Sequence, residues 1–158
     1  MAANSDGDEN AWGRTLSTAT EMAESMASEG WEVTTVRAAH VAPEPPAAGE
    51  TDRFGFVYVA PGDVAADAES AIADGSFDAY EVFNRRLGSD LFTITRVTDV
   101  DRKVAVLLVG GVDMTHAGGL VAAVRERGEM YSHVQTLDGT RLGSFYHDDP
   151  TPFFPGEL

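Results

Sequence analysis

Residues 103–127, KVAVLLVGGVDMTHAGGLVAAVRER, decide the fold. The six apolar residues 104–109 have the length and β-branched content of a strand buried on both faces. Gly110-Gly111 reads as the turn that ends it. From Asp113 or Thr115, either of which suits an N-cap, the spacing becomes helical, with Met114, Ala117, Val121 and Val124 on one stripe. A core strand therefore feeds a core helix.

Upstream, AYEVFNRRL (79–87) and LFTITRVTD (91–99) alternate in polarity and flank Gly88-Ser89-Asp90, the pattern of a β-hairpin. A second tight turn over 99–102 joins the hairpin to the core strand and predicts a three-stranded meander. Downstream, residues 130–137 and 140–147 flank Asp138-Gly139, the dipeptide that most favours a type I′ hairpin. Such a turn sets His133 opposite Ser144 and sends His133 and His147 to opposite faces. The ending HDDPTPFFPGEL has three prolines and cannot continue a sheet. Phe153-Phe154 is expected to fold back over the core as an apolar latch.

In the first half, residues 1–10 are small, polar and acidic and read as a disordered start. Residues 11–28 carry Trp12, Leu16, Ala19, Ala23 and Met26 on one helical stripe, with Asn10 as cap and Gly30 as the left-handed stop. A strand is expected over 31–41, an exposed Pro-rich connector over 42–52, and an internal strand over 54–60. Pro61-Gly62 stops that strand. Asp63 then caps a weakly apolar helix carrying Val64, Ala68, Ala71 and Ile72 and ending at Gly75. The sum is one α+β domain over residues 11–158, with a Pro/Phe-rich tail over 148–158. In it a largely antiparallel sheet of about seven strands packs against three helices.

A formal charge of −15 arises from 26 acidic residues against 11 basic ones, of which ten are Arg and one is Lys103. Sparse Lys with abundant Asp, Glu, Ala, Gly and Thr is the composition of proteins that work in molar KCl. There a Debye length of about 3 Å screens the self-repulsion of a carboxylate-rich surface. High KCl is accordingly expected to stabilise the fold. Scattered basic residues argue against phosphate-backbone contacts and hence against nucleic acid as a partner. The chain has no cysteine, which excludes disulfides, thiol catalysis and Cys-based metal sites. No segment approaches the ~18 apolar residues of a membrane span, and no basic-then-apolar leader opens the chain. A soluble, cytoplasmic protein without a membrane partner is expected.

No motif specifies a reaction or a cofactor. Gly110-Gly111 and Gly118-Gly119 surround a strand-to-helix turn, where amides can hold a small anion, but no nucleotide fingerprint is present. His40, His116, His133 and His147 lack the spacing of a helical zinc site, and no metal is assigned. The densest set of ligand-type side chains is His147-Asp148-Asp149, which also reads as an acidic turn after the last strand. Asp99, Asp101 and Asp113 flank the core strand at too great a separation to share a proton. Arg85 and Arg86 read as one paired and one solvated cation.

Taken across nearly its whole length after Asn10, the sequence resembles a family of small, uncharacterised haloarchaeal proteins. The resemblance rests on Gly30-Trp31-Glu32-Val33, on residues 77–82 (FDAYEV), on 133–140 (HVQTLDGT), and on the ending His147-Asp148-Asp149-Pro150 with Phe153-Phe154-Pro155. It implies a single domain and carries no known activity, so it assigns no catalytic residue.

Two functional expectations follow. The first is a non-enzymatic module that binds a protein partner or a second copy of itself, using Phe145, Tyr146, Phe153 and Phe154, residue types that anchor interfaces. The second is a small-ligand or metal-dependent enzyme with a site formed by Gly110, Gly111, His116, His147, Asp148 and Asp149. It requires the glycine turn and the final acidic turn to meet around one pocket.

Overall fold

The computed structural model describes residues 2–46 and 53–158, with side chains from residue 10 onward. Among them, three α-helices and eight strands follow one another as α1 (Ala2–Ser28), β1 (Glu32–Arg37), β2 (His40–Glu44), β3 (Gly55–Val59), α2 (Gly62–Ile72), β4 (Ala79–Leu87), β5 (Asp90–Asp99), β6 (Val104–Asp113), α3 (Gly118–Arg127), β7 (Met130–Gln135) and β8 (Arg141–His147). Short 3-10 turns occupy Met114–His116 and Thr151–Phe153. This is the expected α+β class, but the strands form two mixed sheets of four instead of one sheet of seven. The first sheet has the order β1-β6-β5-β4, with β1 parallel to β6 and the rest antiparallel. The second has the order β2-β3-β7-β8, with β3 parallel to β7.

The apolar run 104–109 is explained by its position between two cores. Val106 and Leu108 point toward the second sheet and share a cluster with Phe56, Tyr58 and Val134. Leu107 and Val109 point the other way, onto the Trp12, Leu16 and Ala19 stripe of α1. All four strand residues are fully buried. Burying a side chain of this kind contributes about 1.5–3 kcal/mol, so a strand that does so on both faces anchors three layers at once. Tyr58 adds a polar tie across the inner layer, its hydroxyl lying 3.1 Å from Thr95 Oγ1.

Two sheets arise because the chain changes sheet at Ala38-Ala39. The Ala38 N–H donates to Val109 O in the first sheet at 2.8 Å, and the next one, Ala39 N–H, donates to Val59 O in the second at 2.8 Å. The strand expected over 31–41 is therefore two strands, β1 and β2, joined at a corner of the kind by which chains pass between packed sheets. β2 also takes in Ala42, Pro43 and Glu44 from the stretch read as a connector; Pro43 is tolerated because β2 is an edge strand. Pro45 and Pro46 follow β2 outside any strand, and residues 47–52 of that connector lie outside the described residues.

The corner also corrects the reading of Gly110-Gly111. These residues do not turn; β6 runs through them, with Gly110 opposite Thr93 and Gly111 opposite Phe92. A Cβ on Gly110 would stand 2.3 Å from Val41 Cγ2. The glycine is thus required by the close approach of β2. The strand ends at Asp113, whose carboxylate accepts from the Thr115 N–H at 3.0 Å, and Met114, Ala117, Val121 and Val124 join the core as their spacing predicts.

Other boundaries moved for local reasons. α1 starts at Ala2, so Asn10 lies within it and is not its cap. Its end is as expected: Trp31 N–H donates to Met26 O and Gly30 N–H to Ala27 O, with Gly30 at φ +93°. In α2 the capping position belongs to Pro61, and Asp63 sits in the first turn, where its charge suits the helix dipole. The meander and its Gly88-Ser89 turn are present, from Ala79 opposite Thr98 to Leu87 opposite Asp90. After β5, Asp99 Oδ2 accepts from Ser76 N–H at 3.0 Å and Arg102 Nε at 2.7 Å, which hold its carboxyl below the ordinary carboxylate range.

Candidate functional site

The residues singled out from the sequence lie at separate places. Gly110 is sealed under the sheet corner, whereas Gly111 is exposed beside Phe92. His116 stands in the turn after β6 with its side chain 75% exposed, and its Nε2 lies 3.4 Å from Asp113 Oδ2. His147, the last residue of β8, is wholly buried; its Nε2 lies 2.8 Å from Ser132 Oγ, and its ring centre is 4.5 Å from that of Tyr80 and 4.6 Å from that of Phe153. Burial pushes its pKa down to about 4, against the opposing pull of the Asp148 charge. Gly111 lines a cleft with Trp12, Arg37 and Phe92, and His147 is not among the described residues of that cleft. Among the described residues no three His, Cys, Asp or Glu side chains converge to hold a metal ion.

The acidic turn after β8 fixes the C-terminal tail. The Tyr80 hydroxyl donates to Asp148 Oδ1 at 2.9 Å, and Asp149 Oδ1 accepts from the Thr151 N–H at 3.1 Å. Thr151, through side chain and N–H, lowers the Asp149 pKa. Beyond the turn, Asn84 Nδ2 donates to Pro152 O at 2.7 Å, Arg86 pairs with Glu157, and Arg125 donates to the Glu157 carbonyl. Phe153 and Phe154 are then buried against Phe56, with ring centres 6.2 and 5.4 Å away. The latch reading of these two residues is correct. It removes most of the aromatic surface expected to form an interface, because Phe145 is buried as well, against Phe77. Only Tyr146 of that set remains exposed, and its hydroxyl donates to Glu129.

His133 opposes Ser144 as expected, with Nδ1 2.7 Å from the hydroxyl. The turn is not the expected two-residue type I′: within it only Gly139 has a positive φ, its N–H donates to Thr136 O, and a register shift sets Gln135 opposite Arg141. His133 lies on the face of the second sheet away from His147, stacked near Tyr131. Burial first, then the charges of Arg141, Arg53 and His147, push its pKa down to about 3. Neither buried imidazole is therefore charged near neutral pH.

The surface left open is the outer edge of β1. The Glu32 N–H donates to Lys103 O at 2.9 Å and the Ala38 N–H to Val109 O at 2.8 Å, so the even-numbered residues bond to β6. In a parallel ladder that leaves the peptide groups of Val33 and Thr35 turned outward. Helix α2 stands alongside and makes the second wall of a groove of about 500 Å³, with Val64, Asp67 and Ser70 facing Glu32, Val33 and Thr35. Nothing in the sequence marks this edge, because EVTTVR reads the same whether or not a further strand lies beside it.

Fold and groove together define a small α+β protein of two mixed sheets in which the outer edge of β1 borders a groove. The chain matches a family of unknown function, DUF7529, over residues 1–155, and it belongs to that family. No curated protein matches the chain. No solved structure matches it either.

Proposed function

We propose that the protein is a non-enzymatic interaction module that takes up an extended, cationic segment of a partner protein along the open edge of β1. The observation that carries this reading is the groove between β1 and α2, about 500 Å³ in volume, where outward peptide groups run beside acidic and small side chains. A strand laid there gains main-chain hydrogen bonds from Val33 and Thr35, and pockets for alternate side chains give it selectivity. Val33 and Val64 supply apolar contact, while Glu32 and Asp67 favour Lys or Arg on the incoming chain.

A fluorescently labelled peptide of alternating valine and lysine serves as the probe. We expect saturable anisotropy, slowed amide exchange at Val33 and Thr35, loss of both in Thr35→Pro, and weaker binding in Asp67→Lys. Equal affinity for a valine–glutamate peptide, or unchanged binding in Thr35→Pro, would overturn the reading.

The composition further supports a salt-rich cytoplasm as the working place of the module and a haloarchaeal source for it. With 26 acidic residues against 11 basic ones, self-repulsion weakens the fold in dilute buffer and is screened in molar KCl. We expect the unfolding temperature to rise steadily up to about 2 M KCl, where the Debye length has shrunk to a few ångströms. A melting curve that does not move with KCl would remove this part of the proposal.

A further inference from the structure

Beyond the β1 groove, a second cleft of about 510 Å³ opens where α1 crosses the sheet corner, and its lining sets it apart from the rest of the surface. Trp12, Arg37, His40, Pro61, Phe92 and Gly111 form it with the two corner alanines. Among the described residues none that lines it is acidic, in a chain with 26 carboxylate side chains. Two clefts of similar volume each carry carboxylates, Glu32 and Asp67 in one, Glu29 and Glu81 in the other. We propose that this corner cleft binds a small organic anion that carries a flat ring, its charge held by Arg37 and His40 and its ring against Trp12 and Phe92.

Each wall has a matching task. The Arg37 guanidinium lies 5.8 Å from the centre of the Trp12 ring, and Arg37 belongs to none of the ion pairs among the described residues. A guanidinium stacked on an aromatic face keeps its N–H fork turned outward, in the geometry that takes a carboxylate or phosphate by two parallel hydrogen bonds. His40 is exposed at the same rim and offers a further ring nitrogen. Trp12 and Phe92 meet at 40° with centres 6.0 Å apart, which makes a wedge and not a closed stack. A flat ring entering the wedge gains offset contacts with each face. Gly111 completes the arrangement: a Cβ there would stand 3.3 Å from the Phe92 ring, so a side chain would cover the face that glycine leaves open. The volume falls within the range of about 300–1,000 Å³ usual for small-molecule sites.

The test uses Trp31→Phe, which leaves Trp12 as the one remaining tryptophan of the two in the chain. Adenosine 5′-monophosphate, benzoate, inorganic phosphate and uncharged adenosine are titrated while Trp12 emission is followed, with melting shifts of the unaltered chain as a second readout. We expect saturable quenching by the monophosphate or by benzoate, and the one that binds tells a phosphorylated ring from an aromatic carboxylate. Arg37→Gln, a change at an exposed position, should weaken it tenfold or more, and Gly111→Leu should block it. Quenching by neither ring-bearing anion overturns the proposal. So does an unchanged dissociation constant in Arg37→Gln, or equal binding of adenosine or of phosphate alone.

Discussion

The two edges of the first sheet are finished in opposite ways. At β4 the C-terminal tail is strapped down by Asn84, Arg86 and Tyr80 and buries two phenylalanines behind the strand. At β1 the outward peptide groups of Val33 and Thr35 face a groove walled by Val64, Asp67 and Ser70 of α2. An aromatic cluster near the end of a chain therefore says little about where a partner binds. Here it closes the core behind β4, held by the side chains of Tyr80, Asn84 and Arg86, while the groove beside β1 is lined by residues too bland to attract notice in a sequence.

The sharpest way to break the comparison is to remove the tail behind β4. Truncating a buried Phe to Ala costs roughly 3–5 kcal/mol, against a total stability of about 5–15 kcal/mol for a domain. Phe153→Ala is expected to lose that much in urea unfolding, and deletion of residues 151–158 to leave the chain unfolded at neutral pH and low salt. Wild-type stability after the deletion would show that the tail is no part of the core.

Acidification tests the same edge from beneath the latch. Folded His147, with a pKa near 4, binds its proton well below the ordinary value of 6.5. The unfolded chain therefore takes up a proton first, and stability falls as pH drops from about 6.5 through 4. Buried His133 acts in the same direction down to about 3. The His147 contribution is about 3 kcal/mol across that window, at 1.36 kcal/mol per unit. His147→Gln should be less stable at pH 7 yet show a shallower decline of unfolding free energy between pH 6.5 and 4. An unchanged slope would mean that the imidazole is not held neutral by burial.

Gly110→Ala strikes between the two edges, at the corner where the chain leaves β1 for the second sheet. Its Cβ would meet Val41 at 2.3 Å, inside the core. Overpacking of this kind costs about 1–3 kcal/mol. A thermal melt should register it, and Val41→Ala in the same chain should recover part of the loss by removing the opposing methyl group. Additivity of the two changes would contradict the close approach.

These residues also mark what the sequence could disclose. Residues 104–109, the Gly88-Ser89 hairpin, the His133–Ser144 register and the Gly30 stop were legible because each rests on a local pattern that tertiary contacts reinforce. The sheet change at Ala38-Ala39 left no local mark. Val36 and Val41 are both buried, and the two alanines between the strands suit a corner and a straight strand equally. Missing that corner merged two strands into one, turned two sheets into one, and made Gly110-Gly111 look like a turn. It also hid both clefts, since the β1 edge exists only because β2 departs to the other sheet, and Arg37 and His40 meet Trp12 only at the corner itself.

The smallest expected effect falls on the open edge and is the most informative for function. Thr35 is exposed, and its N–H points away from β6, so Thr35→Pro removes no hydrogen bond of the folded chain. Proline is admitted on edge strands in that position, and the residue before it is already extended, as proline requires. The change in stability should stay under about 1 kcal/mol, set by strain at one backbone angle against a stiffer unfolded chain. Amide exchange of the β6 residues opposite, Leu107 and Leu108, should likewise be unaltered, since the ladder between the strands is intact. A loss of several kcal/mol would instead place the Thr35 N–H in a bond of the fold itself, closing the edge and with it the groove as a place for another strand.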